Sequence, residues 1–161
     1  NNVILAIPSS GLHSNGFSLV RSVLKKNKIP RELKSELLKP TRIYSNEILK
    51  LVNKNLINSA AHITGGGLME NLIRSVPEKL SIHIDLSKIK ISKIFKWLKK
   101  NKISDQEMLS TFNCGVGFCL IVKKENVNKI KVFFPNKYRP YEIGYITQNF
   151  KKILLSKNLK W

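Results

Sequence analysis

Two short polar segments carry the side chains most able to do chemistry. The first, Pro8-Ser9-Ser10-Gly11-Leu12-His13-Ser14-Asn15-Gly16, offers three hydroxyls, one imidazole and one carboxamide within nine residues. Gly11 and Gly16 permit the positive-φ or close-approach conformations that bring backbone N–H groups against a ligand. Such a set suits an anion or a hydroxyl-rich molecule, and the same composition also makes a plain turn and helix cap. The second segment, His62-Ile63-Thr64-Gly65-Gly66-Gly67 with Asn71 beyond it, has the composition that could cradle a phosphate or carboxylate, although a triple glycine alone is a weak signal. It lacks the Gly-Lys-Ser/Thr ending of a nucleotide P-loop, and its glycine spacing is not that of a dinucleotide fingerprint.

His13 and His62 flank the two loops, where each could hydrogen-bond a ligand, move a proton near neutral pH, or serve only as a structural hydrogen-bonder. His83 sits inside an alternating run and reads as structural or exposed. Asp85 and Asp105 are the chain's two aspartates, so no Ser/His/Asp arrangement can be argued. The same scarcity speaks against a carboxylate-rich magnesium site inside this chain. Cys114 and Cys119, five apart on what reads as one strand segment, would point to opposite faces, which disfavours a disulfide or a metal pair.

Both loops need an element to deliver them and one to receive them. The apolar run Val3–Ile7 reads as a buried strand before the first loop, and a helix from Asn15 to about Lys26 follows with Phe17, Val20 and Leu24 on one face. The run Ile57–Ile63 precedes the second loop, and a helix with Leu68, Leu72 and Val76 follows it. In each unit a helix N-terminus, with free N–H groups and a positive dipole end, meets the loop.

Elsewhere, Glu32–Lys39 reads as a short helical connector, Thr41–Tyr44 as a strand, and Ser45 as the cap of a helix with Ile48, Leu49 and Val52 on its apolar face. Ser81–Leu86 alternates like a half-buried strand, Ser92–Lys100 is a short amphipathic helix, and Ser104 with Glu107 forms a capping box. Phe112–Val122 is a glycine-containing loop entering a buried strand, Val127–Phe133 is a helix or a strand, and Tyr141–Ile146 is a last strand beside which Lys151–Leu155 could pair. Strands and helices alternate without repeats, which predicts one α/β (α+β) domain over 1–161, a mixed β-sheet layered with helices.

The 161 residues and 42% hydrophobic content suffice for one core. A net charge of +19 invites a nucleic-acid partner, but Lys, Asn and Ile fill 59 of 161 positions and the lysines are scattered in ones and twos. That is the pattern of a solvated, lysine-rich surface reflecting compositional bias rather than a dedicated nucleic-acid face. Neither an apolar run of membrane-spanning length nor a signal-peptide pattern is present, and a cytoplasmic protein is expected. The start at Asn1, almost directly on a buried-type strand, suggests a piece of a longer protein.

The motifs Pro8–Arg21, Leu38-Lys39-Pro40-Thr41-Arg42-Ile43-Tyr44, Ala61–Asn71, Ile94-Phe95-Lys96-Trp97-Leu98 and Thr111-Phe112-Asn113-Cys114-Gly115-Val116-Gly117 follow one another in a characteristic order. Together they resemble the C-terminal domain of the phosphoribosylformylglycinamidine cyclo-ligase (aminoimidazole ribonucleotide synthetase) family. Selenophosphate synthetase, thiamine-monophosphate kinase and the hydrogenase maturation dehydratase share the architecture and lack this combination. Cys114 stands where methionine is common and Tyr145 where an acidic residue is usual.

The resemblance implies ATP-dependent conversion of formylglycinamidine ribonucleotide to aminoimidazole ribonucleotide, within purine biosynthesis. It also implies that ATP and Mg2+ are bound mainly by an N-terminal domain outside this chain, which forms a homodimer. On the same basis Ser9, Ser10, His13, Ser14 and Asn15 match the first family loop, His62, Thr64, Gly65, Gly66, Gly67 and Asn71 the second, and Asn113 a third position. His62 and His13 are then the candidate acid/base groups, the others substrate or phosphate contacts, and no residue here is a metal ligand. The alternatives are another ATP-using member of the superfamily or a basic nucleic-acid-binding module.

Overall fold

The computed structural model describes residues 2–150 and 152–161. Six strands, β1 (Asn2–Pro8), β2 (Ser59–His62), β3 (Leu80–Asp85), β4 (Val116–Lys123), β5 (Tyr141–Gln148) and β6 (Ile153–Ser156), form one sheet in the order β2-β4-β1-β5-β3-β6. The sheet is mixed: β6 pairs parallel to β3, and every other pairing is antiparallel. Seven helices pack around it: α1 (Phe17–Lys26), α2 (Arg31–Leu37), α3 (Ser45–Asn53), α4 (Gly67–Ile73), α5 (Lys93–Lys100), α6 (Asp105–Thr111) and α7 (Val127–Lys131).

The continuous apolar run of β1 follows from its position, because both faces of a central strand are covered. Successive side chains alternate sides. Ile4 and Ala6 enter one core with Val20 and Val23 of α1, Leu68 and Leu72 of α4, Phe95 of α5 and Met108 of α6. Val3, Leu5 and Ile7 enter a second core with Tyr44, Leu51 of α3, Ile130 of α7 and Phe134. The neighbouring β4 divides likewise, Cys119 and Ile121 to the first core and Leu120 and Val122 to the second. Both loops of interest leave the same end of this pair of layers.

Several local expectations are corrected. Residues 41–44 form no strand, because their polar groups are taken by a side chain instead of a ladder: Ser10 Oγ donates to the Pro40 carbonyl (2.8 Å) and accepts from Arg42 N–H (3.1 Å). Tyr44, not Ser45, occupies the N-cap of α3, and Leu51 with Ile48 faces the core while Leu49 and Val52 are exposed. The tail pairs along β3 rather than β5, since β5 already has β1 and β3 as neighbours; Lys151 lies outside the described residues. Cys114 precedes β4 in a left-handed turn (φ 50°), so it joins Cys119 in the first core, both as free thiols. The helix after the first loop starts at Phe17, with Gly16 as its cap. Among the described residues no helix is long and apolar enough to cross a membrane.

Candidate functional site

The first loop ends against a cluster of rings. His13 is 4% exposed and holds a left-handed backbone (φ 57°), a conformation that non-glycine residues rarely adopt and that tends to mark functional sites. Its Nε2 lies 3.3 Å from the Tyr44 hydroxyl, which in turn donates to the Pro8 carbonyl at 3.2 Å. His62, exposed at the end of β2, faces Phe118 across the ladder, with the rings stacked at 5.4 Å. The His13, Tyr44 and His62 ring centroids lie 5.6 to 6.0 Å apart, so three rings from three elements form one group.

Electrostatics keep both imidazoles neutral at physiological pH. The His13 pKa is lowered to about 4, chiefly by burial and next by the neighbouring His62, while the Ile63 main chain pulls the other way without meeting the geometry of a hydrogen bond. His13 Nδ1 is therefore a buried ring nitrogen with no partner. Although His62 is exposed as a residue, partial desolvation of its ring, which lies against Tyr44 and Phe118, lowers its pKa, while burial raises that of Tyr44, whose hydroxyl stays protonated.

Gly117 makes the cluster possible. A Cβ there would lie 1.8 Å from Tyr44 Oη and 2.9 Å from His13 Cε1, so only a glycine in β4 lets these side chains cross the strand.

The glycine loop is held by one amide. Asn71 Nδ2 faces the carbonyls of Thr64 (3.4 Å), Gly65 (3.1 Å) and Gly67 (2.7 Å), and Asn71 Oδ1 accepts from Thr64 Oγ1 at 3.3 Å. In a trans peptide the N–H points opposite to the C=O. With the Thr64 and Gly65 carbonyls turned to Asn71, the Gly65 and Gly66 amides face away from it, as successive donors do in an anion-binding nest. Gly66 and Gly67 have φ of 88° and 63°, and a Cβ on Gly67 would strike the Leu109 carbonyl oxygen of α6 at 1.9 Å. The Asn15 carboxamide reaches across to within 3.7 Å of the Cβ position at Gly65, which brings the two loops together.

The remaining candidates divide by what they touch. Ser14 is exposed and Asn15 half-buried, both on the loop surface. Ser9 N–H bonds to the Gly115 carbonyl (2.9 Å), while its buried Oγ has no partner. Ser10 ties residues 40–42 to the first loop, as described. Asn113 is buried, donating to the Gly11 carbonyl (2.9 Å) and accepting from Gly115 N–H (2.8 Å), so it stitches the first loop to the entry of β4.

A cleft of about 440 Å³ opens beside the cluster, lined by Arg42, Tyr44, Ile48, Leu49, His62 and Phe118 among others. The Arg42 guanidinium pairs with Glu47 and lies over the rings of Tyr138 (4.3 Å) and Tyr44 (4.9 Å). Arg42, Tyr44, Gly117 and Phe118 were not among the candidates read from sequence. An isolated glycine inside an apolar strand was the available signal for Gly117. Phe118 and Tyr44 required the β2–β4 register and the turn into α3.

Among the described residues no three His, Cys, Asp or Glu side chains gather into a cation site. The donor set of the described residues does not fit a magnesium–triphosphate site.

Comparison with known proteins gives the family of the chain. The family described as "AIR synthase related protein, C-terminal domain" matches residues 1–156. The chain is 42% identical to a phosphoribosylformylglycinamidine cyclo-ligase of Ligilactobacillus salivarius, a match that covers 94% of this chain and 47% of that protein. It is 43% identical to the human trifunctional purine biosynthetic protein adenosine-3, over 80% of this chain and 14% of that protein. It thus spans about half the length of the bacterial relative. Among solved structures, thiamine monophosphate kinase from Aquifex aeolicus aligns with a TM-score of 0.60 at 14% identity, over 96% of this chain and 49% of that one, a likeness of fold alone.

Proposed function

Because the chain belongs to the AIR synthase related C-terminal domain family, we propose that it is the substrate-facing half of an ATP-dependent cyclo-ligase. Its substrate would be formylglycinamidine ribonucleotide and its product aminoimidazole ribonucleotide. In that reaction ATP phosphorylates the formyl oxygen, an internal nitrogen attacks the activated carbon, and phosphate leaves as the imidazole ring closes. The protein's share is positioning and charge stabilisation.

The observation that carries the reading for this chain is the meeting of the two loops at Asn15 and Gly65, beside the ring cluster. The Gly65 and Gly66 amides, with Thr64 and the N-terminal turn of α1, supply donors for the ribonucleotide phosphate. Ser9, Ser14 and Asn15 add hydroxyl and amide contacts, and Gly67, Asn71, Ser10 and Asn113 hold those groups in place. His62 faces the cleft as a neutral imidazole able to accept a proton, with His13 directly behind it. The apolar walls at Phe118, Ile48 and Leu49 limit water around the reacting groups.

ATP and Mg2+ are assigned mainly to a preceding N-terminal domain, which would also form the homodimer of a cytoplasmic enzyme. In the full-length protein, ADP release should require formylglycinamidine ribonucleotide. Release with thiamine monophosphate instead, or none with either, would reject the assignment.

A further inference from the structure

The Tyr44 hydroxyl has one proton and two polar neighbours. The Pro8 carbonyl, 3.2 Å away, can only accept. His13 Nε2, 3.3 Å away, can accept or donate according to its tautomer. If Tyr44 donates to Pro8, the contact to the imidazole is a hydrogen bond only when Nε2 carries the proton.

We propose that Tyr44 is a positioning residue for His13: it accepts a hydrogen bond from His13 Nε2–H while donating to Pro8, and so fixes the imidazole in the tautomer whose Nδ1 lone pair is bare. Three further observations agree. His13 Nδ1 is buried and makes no hydrogen bond of ordinary geometry, so no partner holds a proton on it. Tyr44 is itself immobilised, 4% exposed, under the Arg42 guanidinium that Glu47 holds in place. Gly117 removes the side chain that would otherwise separate Tyr44 from His13. Any consequence for turnover rests on the reading of His13 as part of the reaction site.

The test uses full-length protein labelled with 15N at histidine, whose long-range 1H–15N spectra report the tautomer of each ring; His13→Asn identifies the His13 signals. Between pH 6 and 8 the wild-type His13 should show a single neutral form with Nε2 protonated. Tyr44→Phe keeps the ring and deletes the hydroxyl, and should move the His13 nitrogens to positions averaged between tautomers, while the His83 signals stay in place and report intact folding. A wild-type His13 protonated on Nδ1, or a pattern unchanged in Tyr44→Phe, overturns the proposal. The wild-type spectrum alone decides it if the variant does not fold.

Turnover separates this from the functional reading. A fall in kcat of about tenfold with KM little changed is expected for Tyr44→Phe. A shifted spectrum with unchanged kcat would uphold the role of Tyr44 and remove His13 from the chemistry.

Discussion

Gly117→Ala perturbs the ring cluster without touching backbone preference, because Gly117 is outside the left-handed region and its conformation suits any residue. The added Cβ would fall 1.8 Å from Tyr44 Oη, 2.8 Å from Tyr44 Cζ and 2.9 Å from His13 Cε1, and none of these can yield freely inside a packed layer. Overpacking of this kind costs about 1–3 kcal/mol. Displacing the hydroxyl also breaks its bonds to Pro8 and His13, at about 1 kcal/mol each. The expected loss is therefore about 3–5 kcal/mol of local stability, a substantial share of what a domain has. Native-state hydrogen exchange of the β1 and β4 amides in the full-length protein reads this loss directly. Tyr44→Phe removes the nearest atom and both of those bonds, so the same alanine should cost at least about 2 kcal/mol less in that background. Additive effects of the two substitutions, within about 0.5 kcal/mol, would refute the idea that Gly117 exists to admit Tyr44.

Three other outcomes are expected. His13 binds a proton more weakly when folded, with its pKa at about 4 against 6.5, so the unfolded chain takes up the proton first as pH falls. Its contribution is complete above pH 6.5 and lost progressively down to pH 4, amounting to about 3 kcal/mol; His13→Asn should flatten that part of the stability profile, and an unchanged slope would contradict it. Asn71→Ala leaves the carbonyls of the glycine loop without their shared donor, which should cost about 1–2 kcal/mol and speed amide exchange over residues 64–68 roughly tenfold, with little effect on β1. His62→Ala, at an exposed position, should depress turnover of the full-length protein by about tenfold or more while leaving its melting temperature within a few degrees; wild-type turnover would make His62 structural.

The sheet was largely legible because its strands obey simple patterns: β1 is apolar throughout since both faces are covered, and β3 alternates since one face is not. Ser104 capped α6 through Glu107 N–H as its spacing predicts. Residues 41–44 misled because β-favouring types were serving a different end, with Tyr44 and Arg42 turned into a polar and aromatic cluster through the Ser10 hydroxyl. The two loops were legible from their glycines and hydroxyls. Their meeting at Asn15 and Gly65 was not, since residues 50 apart in sequence are joined only by the β2-β4-β1 order. Nor could sequence reveal that Asn71 and Asn113 use their amides on loop carbonyls, because a ligand contact and an internal staple draw on the same residue type.

The claim that the two loops form one wall of a substrate site is tested most directly by hydrogen–deuterium exchange of the full-length protein with and without formylglycinamidine ribonucleotide. Protection should appear together over residues 9–16 and 62–71 and leave α5 and α7 unchanged. Saturating substrate that protects other regions, and neither of these, would contradict the account.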